Sequence, residues 1–185
     1  MEQILNSIKE KIEIKSIKQR DDLYFINVKE EHIIFLLSYL KEQKGFTHLA
    51  FLQAVDFNEY NMFQLTYMLY NYDMKVNLGI KVIIDREKSE MTSIHKLWKH
   101  AWQYQRELHE LFGINFPNSP HVDESFVLEG WEEIPPMRRD FDTLEYSNKT
   151  FYQRPGRSTT DPKEYMKEKL YKNFVEPPKI RKEND

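Results

Sequence analysis

All eight prolines of this chain lie at or after Pro117, and the first 116 residues contain none. Proline fixes φ and removes a backbone donor. A segment broken by Pro117, Pro120, Pro135, Pro136, Pro155, Pro162, Pro177 and Pro178 therefore cannot supply interior strands or long helices. The chain reads as a packed domain over residues 1–116 followed by an extended arm over 117–185. Loops of that length are uncommon in an isolated domain and are usually functional or disordered.

The proline-free part carries clean periodicities. Met1–Lys9 reads as a short helix, and Ile12–Gln19 and Leu23–Val28 as two strands joined by a tight turn at Arg20-Asp21-Asp22. Glu30–Gln43 places Ile33, Leu36, Leu37 and Leu40 at helical spacing and closes at Gly45. Strands are expected at Thr47–Phe57, Met62–Asn71 and Lys75–Asp85. In the last, Val76, Leu78, Ile80, Val82 and Ile84 alternate with Lys75, Asn77, Gly79 and Lys81, the pattern of an antiparallel sheet with one covered face. A long helix is expected from Ser93 to Phe112, ending at Gly113. The fold class is α+β: a mostly antiparallel sheet flanked by helices, then the arm, in which Asp161-Pro162 opens one late helix running to about Phe174.

Composition excludes whole classes of chemistry. There is no cysteine, so disulfides, thiolate metal sites and thiol nucleophiles are absent. The five glycines are too scattered to form a phosphate-cradling loop, which argues against a nucleotide site. With 27 basic and 30 acidic residues the chain lacks the basic excess of a dedicated nucleic-acid binder. The apolar run Ile33–Leu40 is far short of the roughly 20 residues a spanning helix needs, and the N-terminus lacks a signal-peptide layout. The expectation is a soluble intracellular chain. The six histidines have no zinc-protease spacing.

Three groups of charged residues remain. Arg106, Glu107 and Glu110 share roughly one face of the long helix, either as an acid/base carboxylate pair or as a solvated ion-paired face. The stretch His121–Pro135 carries Asp123, Glu124, Glu129, Glu132 and Glu133 without a compensating cation, and lacks the spacing of a calcium loop. Arg138 and Arg139 suit docking ion pairs, because the planar guanidinium fork matches partly desolvated carboxylates. Aromatics of the arm, among them Tyr165, Tyr171 and Phe174, have the character of interface anchors and would dock together with Leu170.

The segment Gln105–Phe116 and the later Pro136-Met137-Arg138-Arg139-Asp140-Phe141 together resemble the C-subunit family of respiratory complex I, which recurs in membrane-bound hydrogenases and sulfane-reducing complexes. That family shows Glu-Arg-Glu, two residues, Asp, two residues, then Gly-Ile and a Phe, and later a Pro-Leu-Arg-Lys-Asp-Phe/Tyr box. Arg106, Glu107, Gly113, Ile114 and Phe116 match the first box, and Pro136, Arg138, Asp140 and Phe141 the second. Gln105, Glu110, Met137 and Arg139 are departures, and they favour a hydrogenase-like or sulfane-reductase-like branch over the NADH:quinone type. Trp131 supplies the family's tryptophan before the second box.

The resemblance implies a structural and assembly subunit with no catalytic residue and no cofactor. It would sit in the peripheral electron-transfer arm at the cytoplasmic face of the membrane, reaching the membrane only through the complex. It would pack against a large catalytic-type subunit and a small iron–sulfur subunit, which would carry the clusters. Other readings are a stand-alone nucleic-acid-binding α+β module and a small hydrolase using Glu107 and Glu110.

Overall fold

The computed structural model describes residues 1–151 and 161–170. The elements are α1 (Glu2–Lys9), β1 (Lys15–Arg20), β2 (Leu23–Val28), α2 (Ile33–Lys44), β3 (His48–Phe57), β4 (Met62–Asn71), β5 (Val76–Asp85), α3 (Ala101–Phe112), α4 (Thr143–Thr150) and α5 (Pro162–Leu170). Five strands form one sheet in the order β1-β2-β5-β4-β3. Every neighbouring pair is antiparallel except β2 with β5, which is parallel. That pairing needs a long crossover, here running through α2, β3 and β4, and the alternation of the strands does not encode it.

One face of the sheet is the core. In register across it lie Leu52, Tyr67, Ile80 and Ile26, none more than 3% exposed. Leu5 and Ile8 of α1, Leu36, Leu37 and Leu40 of α2, and Leu108 and Phe112 of α3 join the same cluster. The expected alternation of β5 holds, with Val76, Leu78, Ile80, Val82 and Ile84 all buried. Both glycine stops also hold. Gly45 and Gly113 adopt φ of +73° and +75°, the left-handed conformation that closes a helix at little steric cost to glycine.

Several boundaries differ from expectation. The chain from Ile12 to Ile14 is not strand, because the Lys11 and Ile12 N–H groups donate to the Ile8 carbonyl and continue the turn of α1. Residues 93–100 form turns rather than helix, so α3 is little more than half the expected length. Here side chains are committed elsewhere: Trp98 Nε1 donates to Thr47 O at 2.8 Å, and His100 Nε2 to Leu49 O at 3.0 Å. Together with Tyr104 Oη on Ala50 O (2.8 Å), they occupy carbonyls of β3 and of the residue before it. That edge strand's outer backbone groups would otherwise lack partners.

The chain divides into a unit from Met1 to Phe141 and a second from Asp142 onward. The first continues past residue 116, since Phe116 and Val122 are buried in the common core. Among the described residues of the second, α4 precedes the one helix that was expected. Asp142 caps α4 by accepting from the Leu144 and Glu145 N–H groups, both at 2.9 Å. The Asp-x-x-Glu pattern at 142–145 is the sequence signal for it. Asp161 accepts from the Lys163 N–H at the start of α5. Tyr165 is half-buried, whereas Tyr171, Phe174 and the side chain of Leu170 lie outside the described residues.

Candidate functional site

The C-terminal end of α3 brings both sequence boxes together. Its first half rests on Glu110. Both carboxylate oxygens accept backbone hydrogen bonds from the incoming loop: Phe126 N–H at 2.7 Å, Val127 N–H at 2.8 Å and Leu128 N–H at 3.0 Å. Burial opposes ionisation of this carboxyl. The three N–H donors and the nearby Arg106 outweigh burial and hold its pKa below the usual glutamate value. Three of the roughly four lone-pair positions of the carboxylate are taken by backbone donors, which makes Glu110 a loop anchor. That is a structural role for Glu110, where the hydrolase reading asked for a free acid/base group.

Arg106 lies between two rings, 5.4 Å from the Trp102 centroid and 5.2 Å from that of Phe126. Its side chain is 20% exposed and stands 3.8 Å from Glu124, and its buried Nε has no hydrogen-bond partner among the described residues. Glu107 is half-buried and makes no hydrogen bond or ion pair with a described residue. Gln105, standing where the family pattern has glutamate, is fully buried. Its Oε1 accepts from Ser93 Oγ (2.8 Å) and Ser119 Oγ (2.7 Å).

Beyond Gly113 the chain must turn sharply under the second box. A Cβ at Gly113 would stand 3.2 Å from Pro135 Cγ, so the missing side chain lets Pro135 approach. The Met137 N–H then donates to Leu111 O at 3.0 Å. Asp56, on the inward face of β3 with its side chain 1% exposed, accepts Nε and Nη2 of Arg86 at 2.9 and 3.1 Å. It also accepts the Arg139 backbone N–H at 2.9 Å. Nη2 of Arg86 reaches Asp140 at 2.8 Å. Asp56 above all, then Asp140, hold the Arg86 guanidinium more firmly protonated than usual. Burial works against Asp140, but Arg86 outweighs it and lowers that pKa.

Arg86 and Arg138 both lie over the Phe63 ring, at 5.7 and 5.6 Å, and Phe63 meets Phe112 of α3 edge-on. Among the described residues Arg138 has the already engaged Asp140 as its one ion-pair partner, at 3.7 Å, and its buried Nε has no hydrogen-bond partner there. Arg139 makes a surface pair with Glu59 at 3.5 Å. Trp131 packs against Phe141 at 5.5 Å.

Of the residues expected from sequence, Glu110, Gly113, Arg138, Arg139 and Asp140 take part in this junction. Ile114 and Phe116 are fully buried beneath it, and Pro136 and Phe141 are half-buried. Asp56 and Arg86 were missed. The available signal was a carboxylate on the buried register of β3, after Leu52 and Ala54, and an arginine directly following β5. Among the described residues no group of three or more His, Cys, Asp or Glu is placed to hold a metal ion, and no helix is long and apolar enough to cross a membrane.

The first unit is thus a mixed sheet backed by helices, with a clasp of charged residues at its rim. The family model of the respiratory-chain NADH dehydrogenase 30 kDa subunit matches residues 26–147, which include both boxes. The chain belongs to this family. It is 30% identical over 125 residues to the C-subunit of NADH-quinone oxidoreductase from Moorella thermoacetica, covering 68% of this chain and 84% of that one. It is 33% identical over 141 residues to the NADH-quinone oxidoreductase C/D protein of Hydrogenobaculum sp., covering 76% of this chain but only 24% of that longer protein. Its fold is similar to a chain in the structure of an archaeal membrane-bound sulfane sulfur reductase, with a TM-score of 0.75 at 24% identity, covering 84% of this chain and 97% of the other.

Proposed function

We propose that this chain is a cofactor-free scaffold subunit in the peripheral electron-transfer arm of a complex-I-like membrane-bound oxidoreductase. It docks there against a large catalytic-type subunit and a small iron–sulfur subunit at the cytoplasmic face of the membrane. The observation that carries this reading is the family match over residues 26–147 together with the convergence of both boxes at one end of α3. Two guanidiniums at that junction, Arg106 and Arg138, keep buried Nε–H groups without hydrogen-bond partners among the described residues. A buried unpaired donor costs about 1–3 kcal/mol, so a carboxylate or carbonyl brought by a neighbouring subunit would be strongly held there. Glu107 offers the complementary acceptor.

The test is purification of the assembled complex through a tag on this chain. Iron–sulfur absorbance should follow the complex and be absent from the singly expressed chain. Arg106→Ala should lower the yield of complex while leaving the isolated chain folded. Wild-type chain that recovers no iron–sulfur protein, or a variant that assembles as wild type, would defeat the reading.

A further inference from the structure

The helices of the first unit cover one face of the sheet, and the opposite face carries an apolar row in register across all five strands: Ile17, Phe25, Gly79, Met68 and Phe51. Gly79 makes the row flat. A Cβ there would fall 2.4 Å from the Phe25 ring, so only glycine lets that ring lie across β5. Exposure is uneven: Ile17 is 57% exposed, Ile83 46% and Val55 38%, Phe25 and Phe51 are half-buried, and Gly79, Met68 and Thr66 in the middle are buried by their neighbours.

Beside the apolar row runs a second one containing Lys15, Asn27 and Lys81. Neither lysine has a carboxylate partner among the described residues. Lys81 Nζ instead sits 4.6 Å from the centre of the Phe25 ring. Of the nearby acids, Glu13 pairs with Lys29 at 3.6 Å and Asp85 accepts from the Glu87 and Lys88 N–H groups, while Glu30, which lines the same hollow as Lys15 and Lys81, pairs with neither lysine. The two lysines stand two strands apart, about 10 Å at ordinary strand spacing.

We infer that this face is a second docking surface, occupied by an apolar surface of a different subunit bearing carboxylates opposite Lys15 and Lys81. Charge decides the occupant. A second copy would set these lysines against a face with the same cations, and like charges across an interface are strongly unfavourable. The chain's own residues 171–185 carry four basic and three acidic groups, so they do not complement it either. Area agrees. Five strands span about 19 Å and six residues along them about 20 Å, so the face offers roughly 400 Å². That is about half of one partner's share in a stable interface, which makes it one contact within a larger assembly and too small for a dimer on its own. The inference rests on the proposed membership of a multi-subunit complex and adds a site remote from both sequence boxes.

Zero-length carbodiimide coupling joins an amine to a carboxylate in direct contact, and it can be applied to the purified complex and to the free chain. Lys15 or Lys81 should couple to Asp or Glu of another subunit in the complex. The Lys15→Glu/Lys81→Glu variant should lose that product and lower the recovered complex by roughly tenfold or more, while the free variant melts as wild type does. If the variant is misfolded, coupling of the wild type alone decides. An intact complex in which neither lysine couples to another subunit overturns the inference and leaves the complex reading standing. Coupling to residues 171–185 or to a second copy also overturns it. So does binding of a single-stranded oligonucleotide by the free chain that this variant abolishes. A wild-type chain that enters no complex defeats both readings.

Discussion

Two carboxylates hold the segment after α3 to the domain, and they use different chemistry. Asp56 is almost wholly buried and faces a guanidinium in a two-point grip, with one backbone N–H added. Glu110 lies nearer the surface and is satisfied by three backbone N–H groups. Removing one member of a buried ion pair leaves an uncompensated charge in a poorly polarisable interior. Removing an acceptor from backbone donors near the surface leaves neutral groups that water can partly reach. The first anchor is therefore expected to fail globally and the second locally.

Asp56→Ala should have the largest effect. It leaves Arg86, packed on the Phe63 ring, with the half-exposed Asp140 in place of its buried partner and frees the Arg139 N–H, and loss of a partner in a buried pair costs about 3–5 kcal/mol. A urea midpoint close to wild type would show that Arg86 finds other compensation and that the two anchors are equivalent.

Glu110→Ala should cost about 1–3 kcal/mol, and the loss should be local. Amide exchange should accelerate at Phe126, Val127 and Leu128 while strand β5 keeps its protection. Acceleration throughout would mean that the loop and the core unfold together. The same anchor makes a pH prediction. Glu110 and Asp140 have folded pKa values below their unfolded values of about 4.3 and 3.9. In that window the unfolded chain binds more protons, so stability rises with pH. The contribution is complete above the unfolded values and is lost as pH falls through the folded ones. Glu110→Gln should flatten the urea midpoint between about pH 3 and 5. An unchanged slope would place the acid sensitivity in other carboxyls.

Gly113→Ala tests the turn between the anchors. An alanine in the left-handed region costs about 1–2 kcal/mol, and its Cβ would press on Pro135. A variant of wild-type stability would show that the turn relaxes. The smallest effect is expected from Asp140→Asn. This carboxylate is 43% exposed and Arg86 keeps Asp56, so the loss should be about 0–1 kcal/mol. A larger loss would make Asp140 a full member of the buried anchor.

Much of the architecture is local and so could be read along the chain. The alternation of β5, the apolar stripe of α2 and the glycines at 45 and 113 each express a short-range rule, and the structure follows them. Residues 93–100 obeyed no such rule. Ile94, Leu97, Trp98 and Ala101 have helical spacing, yet Trp98 and His100 bind carbonyls at the start of β3 some fifty residues earlier. Arg106 and Glu107 were legible as a motif, but the rings that enclose Arg106 come from α3 itself and from a loop twenty residues on.

The sequence by itself determined most of the strands and helices of the first 116 residues, where the two helices α2 and α3 stop, and which residues make the family boxes. Each depends on neighbours within a few turns or strand repeats, where periodicity and glycine or proline stereochemistry act directly. Only the tertiary structure decided that β2 pairs in parallel with β5, that Asp56 and Arg86 clasp the second box, and that α1, α2 and α3 join one core on the same face of the sheet. These are contacts between residues far apart in the chain. Their energies come from burial and charge pairing, which exist only after the crossover has brought the partners into one place.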